Sequence, residues 1–278
     1  MQIAFWSPNH GQTGTTSAAV AIASMSALLY NFKILLAHSH FERSTLERCF
    51  VKEKVHQHED LLDFSDNGLD ALKRLAKNGR LSSGMVCDYT ISLLANRRLD
   101  LLQGTKTQKP IDTQETMLLL SQIFSVANKD YDLIMIDVPS GTHQKITHKI
   151  IEHSDLVVVC LNQNKALLDT YFNNPSYVSM LEGKTVMYNI GMYNKDSRYT
   201  QKNLAKLYGM NNMMYIPYDI GFMDACNNSR ILDFMMRHLT TNSKKNKHKH
   251  LLEALERNCE GMMKQLEKTK QEARIDYA

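Results

Sequence analysis

Two hundred and seventy-eight residues, 43% hydrophobic and 22% charged, describe a globular chain and exclude a disordered or fibrous one. The formal charge is +4, and residues 241–278 supply +3 of it through nine Lys/Arg against six Asp/Glu, so residues 1–240 offer no whole-domain footprint for nucleic acid. Twelve Gly and five Pro are few for an all-β chain, no uncharged apolar run is long enough to cross a membrane, and five cysteines (49, 87, 160, 226 and 259) lack paired spacing, which argues against a disulfide framework or thiolate metal site and fits a reducing cytoplasm.

The N-terminus has no basic segment before its apolar residues and does not read as a signal peptide. Short apolar runs then alternate with amphipathic ones. QIAFW (2–6), FKILLA (32–37), RLDLLQG (98–104), DLIMID (132–137), DLVVVCL (155–161), TVMYNI (185–190) and MMYIP (213–217) read as strands, several apolar on both faces as buried parallel strands are. Helical patterns cover 15–30, 57–95 in two or more pieces, 113–128, 143–152, 165–182, 198–208 and 221–238. This alternation predicts an α/β fold: a doubly wound, mostly parallel sheet flanked by helices. The organisation expected is an α/β domain over 1–240, with a helix-rich insertion at about 51–96, then a basic linker and C-terminal helix over 241–278. Within the insertion, Leu69, Leu72 and Leu75 form a core-facing stripe. In the tail, Leu252, Leu255, Cys259, Met262 and Leu266 follow 3-4-3-4 spacing, the seam of a helix that docks on its own domain or pairs with another chain.

The first strand runs into SPNHGQTGTTSAAVAIASMSALL. A strand, a Gly/Ser/Thr turn and a small-residue helix together build a phosphate cradle, with amides turned inward and partial positive charge at the helix start. Gly14 stands where the last Gly of a G-x-x-x-x-G-K-[ST] loop would, Thr15 replaces its Lys, Thr16 takes the magnesium-binding hydroxyl position, and Asn9 replaces the opening Gly. In YDLIMIDVPSG (131–141), Asp137 closes an apolar strand, where a carboxylate can hold magnesium through water and orient Thr16. Gly141 can turn a backbone N–H toward a terminal phosphate.

With these residues in view, the chain resembles the MinD/ParA family of P-loop ATPases, whose deviant Walker A motif reads K-G-G-x-G-K-T-[TS] and whose next motif reads Y-D-x-I-I-I-D-x-P-x-G. HGQTGTTS (10–17) and YDLIMIDVPSG align with the two, followed by LLDTY (167–171), Asn189 and YIPYDIGFMDACNNSRILDF (215–234). The resemblance spans about residues 1–238 and is nearest to the TadZ/CpaE-like proteins that localise pilus assembly. It implies ATP or ADP with magnesium held by Gly11, Gln12, Thr13, Gly14, Thr15, Thr16 and Ser17, with Thr16 and Asp137 on the metal side. It also implies Gly141 as a switch, Asn189 as the adenine reader, Pro217 and Asp219 beside the base, and a face-to-face homodimer.

Three departures from the family remove charged groups. His10 stands for the dimer-crossing lysine, Thr15 for the P-loop lysine, and His38 and His40 for the acidic D-x-D after the second strand. Losing one preorganised donor to a developing anion costs about 2.7–4 kcal/mol, so the expectation is nucleotide binding with slow turnover or none, and no residue is assigned as catalytic. A protonated His10 would partly stand in for a lysine. His38 and His40, two apart, would share a face on a continuing strand as a metal pair, or form a loop in place of the acidic pair. His143, His148 and His153 read as surface residues, Arg43, Arg48, Arg97 and Arg98 as surface positives, and the 16 methionines as core filler.

No G-x-S-x-G elbow, no G-x-G-x-x-G after a strand, and no cysteine pair for an iron–sulfur cluster occurs. The function expected is therefore a cytoplasmic, dimeric spatial regulator that positions a larger assembly of pilus or secretion type, reaching a membrane or cell pole through partners. The alternatives are a slow partitioning ATPase, whose dimer surface and 244–249 lysines bind DNA nonspecifically, and a pseudo-ATPase adaptor that binds no nucleotide.

Overall fold

The computed structural model describes residues 1–40, 44–52, 67–105, 113–240 and 246–275. Arg43, the 53–66 part of the expected insertion, and Lys244 and Lys245 of the basic linker lie outside them. In chain order the elements are β1 (Gln2–Trp6), α1 (Thr15–Leu29), β2 (Ile34–His38), α2 (Thr45–Arg48), α3 (Gly68–Lys77), β3 (Ile91–Leu94), β4 (Leu99–Leu101), α4 (Gln114–Asp130) and β5 (Leu133–Asp137). They continue with α5 (Lys145–His153), β6 (Leu156–Leu161), α6 (Lys165–Phe172), α7 (Pro175–Met180), β7 (Thr185–Tyr193), α8 (Gln201–Tyr208), β8 (Met213–Pro217), α9 (Ile220–Asn227), α10 (Ile231–Leu239) and α11 (Lys249–Ile275).

The strands form one sheet in the order β3-β4-β2-β5-β1-β6-β7-β8. Every pairing is parallel except that of edge strand β3 with β4. Strand β1 lies between β5 and β6, and register places Phe5 opposite Asp137 and Asp137 opposite His38. The turns after β1, β2 and β5 therefore meet at one end of the sheet. This is the carboxyl end, where open α/β folds place their ligands.

Alternation along β1 splits the core in two. Ile3 and Phe5 face the layer holding α1, α2 and α9–α11, while Ala4 and Trp6 face the layer holding α3–α8. Helix α1 is apolar or small all round, and Ala18 through Ala27 are buried, because the sheet covers one side and α11 the other. The tail seam does the covering: Leu252, Leu255, Cys259, Met262 and Leu266 are all buried in the same cluster as α1. Ser26 Oγ donates to Cys259 Sγ at 3.4 Å.

Several expected elements need correction. The helical reading of 57–95 misses β3, a short edge strand with too few residues to display a period. The 165–182 pattern breaks at Asn173–Asn174, where Pro175 opens α7 and Asn174 caps it. The 221–238 pattern breaks at Ser229, whose φ is +56°. Strand β7 runs three residues beyond the expected end at 190. Arg98 is not a free surface positive; its guanidinium donates to the carbonyls of Leu28 and Tyr30, both at 3.2 Å, and so finishes α1. No helix among the described residues is long and apolar enough to cross a membrane.

Candidate nucleotide and metal site

Gly14 adopts φ +68°, ψ +35° immediately before α1, and Gly11 adopts φ +74°. Both are left-handed conformations that glycine enters without the Cβ penalty. They fold residues 7–14 into a concave turn over the N-terminus of α1. Among the described residues, the backbone N–H groups from Gly11 to Ser17 donate no hydrogen bond, and the first loop-to-helix bond is Ala18 N–H to Gly14 carbonyl at 2.8 Å. Successive unpaired amides at a 15-residue helix start form an anion-binding nest.

The loop is braced from three directions. Thr13 is buried and donates from Oγ1 to Ser7 Oγ at 2.8 Å, while Thr15 Oγ1 lies 3.1 Å from Thr13 Oγ1. Asn162, just past β6, donates from Nδ2 to the Gln12 carbonyl at 2.9 Å. Gly191 of β7 lies so close beneath the loop that a Cβ there would stand 2.2 Å from the Thr13 carbonyl oxygen. His10 sits exposed at the loop tip.

Thr16 Oγ1 donates to Asp137 Oδ2 at 2.6 Å, so the hydroxyl and carboxylate paired in the sequence argument meet in the fold. His40, two residues past β2, brings Nε2 to 3.3 Å from the same oxygen. Asp137 Oδ1 and His40 Nε2 are buried without a hydrogen-bond partner among the described residues. A divalent cation suits such a set: a hydroxyl and an imidazole nitrogen both approach one oxygen of a buried carboxylate whose other oxygen accepts no hydrogen bond among the described residues.

His38 takes no part in that cluster. Its Nε2 lies 2.9 Å from Glu47 Oε1, and Glu47 also accepts from Gly104 N–H at 2.8 Å and Gln103 Nε2 at 3.3 Å. Burial pushes the Glu47 carboxyl up, but these hydrogen bonds outweigh it and hold the group below its ordinary range. The expected histidine pair is thus divided between a structural brace and the site. No group of three or more His, Cys, Asp or Glu among the described residues forms a metal cluster on its own.

Other expected site residues are placed differently. Gly141 has φ +80°, yet its N–H already donates to the Ser7 carbonyl at 2.9 Å, and its carbonyl accepts from Trp6 Nε1 at 2.9 Å. Turning that N–H to a phosphate requires the 139–142 turn to move. Asn189 does not close its strand. It is fully buried inside β7, with Nδ2 toward Cys160 Sγ at 3.9 Å, and presents no surface to solvent. The exposed residue at that strand end is Asn194, tied to the β6 end by Gln163. Pro217 ends β8 as expected. Asp219 caps α9 by accepting from Phe222 N–H at 2.9 Å and bonds His248 Nδ1 at 2.9 Å, so its carboxylate is committed.

Asn162 and Gly191 brace the loop and were not singled out from the sequence, and His40 was read there only as half of a pair with His38. Gly191 had a usable signal, since a glycine inside an otherwise apolar strand marks close backbone approach. Tyr131, the first residue of YDLIMIDVPSG, is structural: its hydroxyl donates to buried Asp100 at 2.7 Å. His143, His148 and His153 are exposed.

No family model matches the chain, and no curated protein matches it in sequence. Solved structures do. A ParA family ATPase from Chlorobium tepidum superposes with a TM-score of 0.68 at 14% identity, covering 91% of this chain and 98% of its own. A plasmid partition protein from Borrelia burgdorferi bound to AMPPNP gives 0.66 at 16% identity over 95% and 98%. The septum site-determining protein MinD from Pyrococcus horikoshii, complexed with Mg-ADP, gives 0.62 at 14% over 92% and 96%.

Proposed function

We propose that this chain, which has the MinD/ParA-type P-loop ATPase fold, binds ATP or ADP with a divalent cation and uses the bound state to control self-association and the placement of a larger assembly. The observation that carries the reading is the row of unpaired amides from Gly11 to Ser17 beside the 2.6 Å Thr16–Asp137 contact. The amides of Gly11, Gln12, Thr13, Gly14, Thr15, Thr16 and Ser17 would hold the phosphates, and Thr16 and Asp137 the metal. A bound cation would neutralise phosphate charge that the missing lysines leave uncompensated. With Thr15 in place of one lysine and His10 in place of the other, turnover is slow or absent. The AMPPNP and Mg-ADP complexes among the similar structures support nucleotide as the ligand class. A homodimer and a partner from a pilus or secretion assembly complete the reading, supported by the motif resemblance.

Titration calorimetry with Mg-ATP and Mg-ADP, followed by sizing with each, tests it. Binding that Thr16→Ala abolishes, together with a nucleotide-dependent change in size, is the expected result. No heat at millimolar nucleotide sinks it. The nucleotide-free adaptor is the second reading, favoured by the mutual bonding of Ser7, Thr13 and Thr15 inside the loop. It requires that Thr16→Ala leave partner binding intact.

A further inference from the structure

We infer that His40 is a ligand of the divalent cation, supplying an imidazole nitrogen beside Thr16 and Asp137, so that the site shifts from Mg²⁺ toward first-row transition ions, for which Mn²⁺ serves as the spectroscopic probe. The inference deepens the nucleotide reading by assigning its metal.

Three observations carry it. First, His40 Nε2 and Asp137 Oδ1 are buried with no hydrogen-bond partner among the described residues. A buried polar atom without a hydrogen bond costs about 1–3 kcal/mol, and here the two belong to side chains that are in contact. Second, His40 Nε2 and Asp137 Oδ2 are 3.3 Å apart, a spacing that two donors to one ion reach with bonds of about 2.1 Å at an angle of roughly 100°. Third, the backbone fixes that approach. Ser39 N–H donates to the Asp137 carbonyl at 3.0 Å, continuing the β2–β5 ladder one residue past the strand end. The His38 ring is held away by Glu47.

The chemistry follows from the donor type. Magnesium takes oxygen donors and keeps several waters, whereas imidazole favours later divalent ions along the first transition row. Thr16 and Asp137 alone supply the oxygen set that magnesium accepts, and His40 changes the character of the site.

Manganese(II) chloride added to the full chain, with and without ADP, gives a direct readout by pulsed electron paramagnetic resonance. The wild type should show the nitrogen-14 modulation of a directly bound imidazole, and His40→Asn should lose it. The variant's preference for Mn²⁺ over Mg²⁺ should fall by at least the roughly tenfold to hundredfold that loss of an outer-shell partner costs. His153→Asn, which changes an exposed histidine on α5, should alter neither. Bound manganese without nitrogen coupling in the wild type, coupling that survives His40→Asn, or no manganese binding in either state overturns the assignment. Absence of coupling in the wild type decides against the assignment by itself, and His40→Gln repeats the loss test should His40→Asn misfold. Calorimetry with Mg-ADP on the same protein separates the two readings: failure there sinks nucleotide binding, while the ADP-free manganese spectrum still judges His40.

Discussion

Gly191 shows how one hydrogen atom positions a site. Its Cα lies against the Thr13 carbonyl so closely that a methyl group would overlap it at 2.2 Å, and the obstructing atom is backbone rather than a flexible side-chain tip. Gly191→Ala should therefore lift the phosphate loop away from β7. The expected cost is about 1–3 kcal/mol, as for other overpacking changes, with nucleotide affinity falling further than stability alone accounts for. Thermal unfolding and nucleotide titration of the variant measure the two effects, and unchanged binding would show the loop tolerates the shift. His40 and His38 make the companion point. Two side chains on one strand face were indistinguishable by spacing, and only Glu47, reaching over from α2, separates brace from ligand.

Among the elements, α11 carries the clearest energetic consequence. Leu255 is fully buried where α11 covers α1, so Leu255→Ala should destabilise the fold by about 2–5 kcal/mol. Chemical denaturation reads this directly; a change under 1 kcal/mol would mean the helix is only loosely applied. The seam spacing made the helix legible, but not what it faces, because α1 advertises no matching stripe: its Ala and Ser residues are small on every side. Parallel strands were readable from continuous apolar runs such as LIMID and LVVVCL, since burial on both faces removes the polar alternation. Edge strand β3 was not readable, because four half-exposed residues carry neither pattern. At the site, the glycine-rich turn and Asp137 were legible from local chemistry. Asn189 misled because the strand continues through a bulge to Tyr193, and strand length depends on pairing with β8 rather than on local sequence.

Across the whole molecule, the carboxyl ends of β1, β2 and β5 converge on the loop over α1, and this convergence survives the loss of the lysines. On the proposed reading, the fold offers a place for phosphate and metal independently of catalytic speed. It also supplies its own optical reporter. Trp6, the single tryptophan of the chain, is buried and ties its indole N–H to the Gly141 carbonyl. Its ring centroid lies 5.7 Å from that of Tyr177. If polyphosphate draws the 139–142 turn toward it, that tie is strained or released, and the emission maximum should shift without any label being attached. Trp6→Phe should silence the signal, and saturation that leaves the spectrum still would mean the turn stays put when the ligand arrives.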